Sequence, residues 1–166
     1  KKPFEEERLV YRDAQDDAWH AIRTKEIQKL LINLGVLAGR ADGIYGPRTQ
    51  AALDKLFEAG EIGPTIVRGE LVEQLVDLTL RKSTALQPSI EPLVLRVVAE
   101  SAVRGGFDSG ENLEVTLRNA EVFLGMPATG RPSAKLWQGI EKSKPVFEKL
   151  VQLGFVKASG SISEGW

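Results

Sequence analysis

From Thr24 onward, the apolar residues of this chain recur with a helical period, and several of the runs stop at a glycine. In TKEIQKLLINLG, Ile27, Leu30, Leu31 and Leu34 stand at i, i+3, i+4 and i+7, which places them on one stripe of a helix. Gly35 then sits where a left-handed C-terminal residue belongs. Pro47 suits the first position of a second helix, where no backbone donor is needed. Ala51, Ala52, Leu53, Leu56 and Phe57 follow on its inward face, and Gly60 ends it. GELVEQLVDLTLRK supplies a third helix whose apolar side is Leu71, Val72, Leu75, Val76 and Leu78. These periods predict an all-α fold with little strand.

The same order returns in the second half. STALQPS, residues 83–89, has turn composition and is the expected linker. SIEPLVLRVVAESAVRGG follows as a helix that is apolar almost all round, tolerates Pro92 in its first turn and stops at Gly105 and Gly106. LEVTLRNAEVFLGMPATGRPSAKLWQGI then repeats a helix, a Leu-Gly ending, a glycine-containing loop, a Pro and another helix. Leu124-Gly125 stands for Leu34-Gly35, Thr129-Gly130 for Asp42-Gly43 and Leu136 for Leu53. SKPVFEKLVQLGF reads as a further, final helix. The expected organisation is an extension over residues 1–23, a three-helix unit over 24–82, the linker at 83–89, a degenerate second unit with an extra helix over 90–155, and a disordered tail over 156–166.

Several chemistries are excluded or weakened by content alone. A formal charge of -1, with no basic patch interleaved with aromatics, argues against nucleic acid as a partner. No run of about 18 uninterrupted apolar residues appears, so a membrane span is not expected. The chain has no Cys and hence no thiolate nucleophile, and its single His, His20, cannot by itself supply a zinc site. Asp13, Asp16 and Asp17 beside His20 read as a solvated acidic face. No cofactor or metal is expected.

The stretch GRADGIYGPRTQAAL carries the most specific signal. Gly43 and Gly46 permit positive φ or close backbone approach, and Asp42 can accept hydrogen bonds from the turn that follows. Together with Gln28 and Leu31 before it, the ordered set Asp42-Gly43, Tyr45-Gly46-Pro47, Thr49 and Ala52-Leu53 resembles the three-helix peptidoglycan-binding domain of bacterial cell-wall hydrolases and envelope proteins. The resemblance covers about 24–82. The second copy is similar in outline only, because it lacks the Tyr-Gly-Pro turn. The resemblance implies two small peptidoglycan-binding-like units in tandem, acting as a non-catalytic wall-anchoring or targeting module in the periplasm or cell wall.

Candidate ligand-binding residues are Asp42, Tyr45, Gly46, Arg48 and Thr49. The helix start at Pro47 offers unpaired N–H groups to a stem-peptide carboxylate, Arg48 can reinforce it, and Tyr45 offers a flat face for a sugar. Each also has a structural reading: Asp42 and the glycines as turn formers, Tyr45 as core, Thr49 as a backbone partner. Two other classes stay open. An interaction module would use exposed aromatics such as Trp137 or Trp166 to hold an envelope protein partner. A lysozyme-like or lytic transglycosylase-like hydrolase would use Glu100 as acid, with Ser101 and Asp108 nearby, although Arg96 and Arg104 at four residues either side would hold Glu100 ionised.

Overall fold

A computed structural model describes residues 17–64, 68–82 and 86–155, which form six helices and no strand among the described residues. The chain divides between Ile90 and Glu91 into two compact units.

The first unit holds α1 (Asp17–Asn33), α2 (Pro47–Glu58) and α3 (Arg68–Lys82). Helix α1 starts seven residues before the expected Thr24, inside the segment read as an extension. It packs on α3 and α2 through Ile27, Leu30 and Leu31, all fully buried. Leu71, Val72, Leu75, Val76 and Leu78 of α3 are buried as their period predicts, and Leu37 and Ile62 from the loops join the same core. On α2 the inward face differs from expectation. Ala51 is exposed and Phe57 half-buried, while Thr49, Gln50 and Asp54 are buried beside Ala52, Leu53 and Leu56. Polar side chains enter this core because they hydrogen-bond one another and the loop, as Gln50 Nε2 does in donating to Asp54 Oδ1 at 3.0 Å.

The second unit holds α4 (Glu91–Arg104), α5 (Leu113–Phe123) and α6 (Ala134–Gln152). Asn112 caps α5 by accepting the Val115 N–H at 2.9 Å, and Ser133 caps α6 by accepting that of Leu136 at 3.1 Å. The two C-terminal helices read from the sequence are a single one, since α6 runs unbroken through Pro145. A proline inside a helix removes the bond to the carbonyl four residues back. Here that residue is Glu141, and both it and Pro145 are exposed, so water can serve the orphaned carbonyl. Trp137, expected at the surface, is 4% exposed and belongs to the core with Leu136, Ile140 and Phe147.

Five of the six described helices close alike. Around a glycine in the left-handed region, the N–H two residues beyond the cap reaches back five positions, as Val36 N–H does to Leu31 O at 3.1 Å and Phe107 N–H does to Ala102 O at 3.0 Å. Residues 1–16, the tail from 156 with Trp166, and 83–85 of the linker lie outside the described residues.

Candidate functional site

The loop between α1 and α2 is organised by one side chain. Gln28 is 3% exposed and points from α1 into the loop. Its Nε2 stands 3.0 Å from each of Asp42 Oδ1, Ile44 O and Thr49 Oγ1, so its two hydrogens serve three acceptors with one donation shared, and its Oε1 accepts the Gly43 N–H at 2.8 Å. Asp42 Oδ1 also accepts the Ile44 N–H at 2.9 Å, which closes an Asx turn. Gly43 has φ +80, and a Cβ there would lie 3.2 Å from the Ala21 carbonyl oxygen of α1. A side chain is excluded there by conformation and by space.

The bonds from the Ile44 N–H and Gln28, with the Arg48 charge, hold the Asp42 carboxyl below its ordinary value of 3.8. A lowered folded pKa makes the turn's contribution complete above that value. It is lost as pH falls through the folded one.

Above this turn lies a cleft of about 180 Å³ lined by Gln28, Leu37, Arg40, Asp42, Ile44, Gly46, Pro47, Arg48 and Thr49. Four of the five candidate residues therefore meet at one place. Tyr45 does not line the cleft: it is half-buried, and its hydroxyl donates to Gln50 Oε1 at 3.3 Å. The exposed apolar position is its neighbour Ile44, at 69% exposure. Thr49 is buried and spends its oxygen on Gln28. Arg48 is exposed and donates from Nη2 to the Ala38 carbonyl, crossing Gly39, where a Cβ would stand 2.6 Å from the same nitrogen.

Gly46 is extended rather than left-handed, at φ -120, and a Cβ there would meet nothing within 4 Å. As the N-cap of α2 it brings no side-chain bond, so the start of the helix is left open toward the cleft.

Gln28, Leu37, Arg40 and Ile44 were absent from the residues read as site-forming. Gln28 did carry a signal, being a polar residue at i+4 from Thr24 and i−3 from Leu31, within the buried stripe. The others carry none, because a loop side chain's direction is set by tertiary folding.

A profile of the peptidoglycan binding domain family matches residues 23–56, from the middle of α1 through the loop to the last turn of α2. Over this segment the chain is similar to that family. No curated protein and no solved structure matches the chain.

The second unit reproduces the turn of the first with different chemistry. Glu121, 2% exposed, accepts the Gly130 N–H at 2.7 Å and the Thr129 hydroxyl at 2.8 Å, and Thr129 Oγ1 accepts the Arg131 N–H at 3.1 Å. Thr129 thus takes the place of Asp42, Gly130 that of Gly43, and a carboxylate that of the Gln28 amide. Donor and acceptor are reversed between turn and helix: the Thr hydroxyl donates to the Glu, whereas the Gln donates to the Asp.

Of the hydrolase candidates, Glu100 and Asp108 are exposed, whereas Ser101 is fully buried in α4 and its hydroxyl has no partner among the described residues. An unmet buried hydroxyl costs about 1–3 kcal/mol, so Ser101→Ala is expected to gain about 1 kcal/mol in denaturant unfolding. A loss of stability would mean that the hydroxyl has a partner. Of the acidic cluster near His20, Asp13 and Asp16 lie outside the described residues. Among the described residues no group of three His, Cys, Asp or Glu is placed to hold a metal, and no helix is long and apolar enough to cross a membrane.

Proposed function

We propose that this chain is a non-catalytic peptidoglycan-binding module that anchors or targets a bacterial envelope protein to the wall, in the periplasm or cell wall, through the cleft at the start of α2. The observation that carries this reading is the coincidence of the family match with a concave site. The match over 23–56 spans the loop, and the loop's own residues line the cleft. Gln28 and Thr49 are spent on one another, so they shape the cleft. Arg40, Arg48, Asp42, Ile44 and the open helix start at Gly46 remain to meet a ligand.

The test is cosedimentation of the whole chain with purified sacculi, with turbidity followed in parallel. Binding without clearing is expected. Gly46→Asp probes the cleft itself: aspartate is a good N-cap, so the fold is retained or gains a few tenths of a kcal/mol, while a fixed negative charge enters the space proposed for a stem-peptide carboxylate. Sacculus binding should fall at least about tenfold, the effect of roughly 1.4 kcal/mol. Unchanged binding by this variant, with an unchanged melting curve, would place the ligand elsewhere.

A second reading, as a protein-interaction module, is favoured by exposed Val122, Phe123, Val146, Leu153 and Phe155 on the second unit, with Phe123 at 79% exposure. Failure of the whole chain to bind sacculi would favour it.

A further inference from the structure

We propose that the cleft selects a stem-peptide side chain that ends in a zwitterion, a diaminopimelate-type residue with a free carboxylate and a free ammonium on one carbon, over one bearing a single charge. The inference rests on the peptidoglycan reading above and names the part of the polymer that enters the cleft.

Size limits what the cleft encloses. At about 180 Å³ the cleft is smaller than the roughly 300–1,000 Å³ of sites that enclose a drug-sized ligand, so it encloses one residue-sized group. The lining then fixes the chemistry of that group. Leu37, Ile44 and Pro47 give an apolar wall, and Ile44 is largely exposed there, which suits a short run of methylenes.

Both signs of charge stand on the same rim. Arg40 is exposed and makes no hydrogen bond or ion pair among the described residues. The guanidinium of Arg48 lies nearby, held to the Ala38 carbonyl through one nitrogen. Asp42 is exposed too. Its Oδ1 is engaged by Gln28 and the Ile44 N–H, and among the described residues no bond is made by Oδ2. A lone carboxylate entering this rim meets Asp42, and a lone ammonium meets two arginines. A side chain carrying both charges satisfies Arg40 and Asp42 together. Discrimination built from wrong-charge contacts as well as right ones is the usual basis of specificity.

The test uses three soluble tripeptides that share the stem sequence and differ at the third side chain: diaminopimelate, its side-chain carboxamide, and its side-chain N-acetyl derivative. Each is titrated into the whole chain and followed by amide NMR. The parent should bind the zwitterion about 3- to 5-fold tighter than either derivative, as each lost contact is a partly exposed ion pair, with shifts centred on residues 37–49.

Arg40→Gln should erase the preference over the carboxamide only. Asp42→Asn, which keeps an oxygen for the Ile44 N–H, should erase the preference over the N-acetyl form only. Equal binding of all three by the parent, no binding of any, or shifts outside the loop would overturn the inference. Sacculus cosedimentation separates the two failures. Sacculi bound without tripeptide selectivity sink the zwitterion alone, and sacculi unbound sink the peptidoglycan reading with it.

Discussion

Gln28→Leu will strongly destabilise the first unit. The substitution nearly preserves volume and apolar contact, so its effect comes from the four hydrogen bonds it removes. The Ile44 carbonyl and Asp42 Oδ1 sit on exposed residues and recover water. The Thr49 oxygen is buried and the Gly43 N–H half-buried beneath the loop, and each loses its Gln28 partner. A stranded buried group costs about 1–3 kcal/mol, so two put the loss at about 2–6 kcal/mol. That is a large share of the 5–15 kcal/mol by which an ordinary domain is stable. In chemical denaturation of the whole chain the first unit should lose that much stability, and amide NMR should show the signals of residues 37–49 shifted. A variant with the parent's spectrum and melting curve would show that the four bonds are dispensable and that the loop is held by its glycines and apolar contacts.

Gly106→Ala will destabilise the second unit by a comparable amount for a different reason. Gly106 has φ +94 at the end of α4, and a Cβ there would lie 2.4, 2.8 and 2.9 Å from three carbons of the buried Phe147 ring. The left-handed conformation costs an L-residue about 1–2 kcal/mol, and forcing extra carbon into a packed core about 1–3 kcal/mol more. Gly125 is the internal control. It ends α5 at φ +75 with nothing within 4 Å of its would-be Cβ, so Gly125→Ala carries only the backbone cost. In chemical denaturation Gly106→Ala should lose about 2–5 kcal/mol and Gly125→Ala about 1–2 kcal/mol. Equal losses would mean that Phe147 moves aside freely and that the ring does not lock the helix end.

What the sequence alone determined here was everything governed by local geometry. The 3.6-residue period of Ile27, Leu30 and Leu31, or of Leu71, Leu75 and Leu78, dictates helices whichever partner they find. A glycine after Asn33-Leu34, Glu58-Ala59 or Phe123-Leu124 ends them, because only glycine enters the left-handed region cheaply. Pro47 at the first position of α2 and the turn at Asp42-Gly43 were legible for the same reason, and the resemblance over residues 24–82 rested on them.

The tertiary structure alone decided which side chains those elements turn toward each other. Ile44 and Tyr45 are adjacent and both apolar enough to be buried, yet Tyr45 turns in because Gln50, a turn along α2, accepts its hydroxyl, and Ile44 is left to the cleft. Trp137 enters the core because α6 lays one face on its unit. Pro145 fails to break that helix because it falls on the opposite, wetted face. Gln28 and Gly43 are fifteen residues apart, and their bond exists only once α1 and the loop are folded together. A cleft is made of such long-range meetings, and their energies depend on burial that no local pattern records.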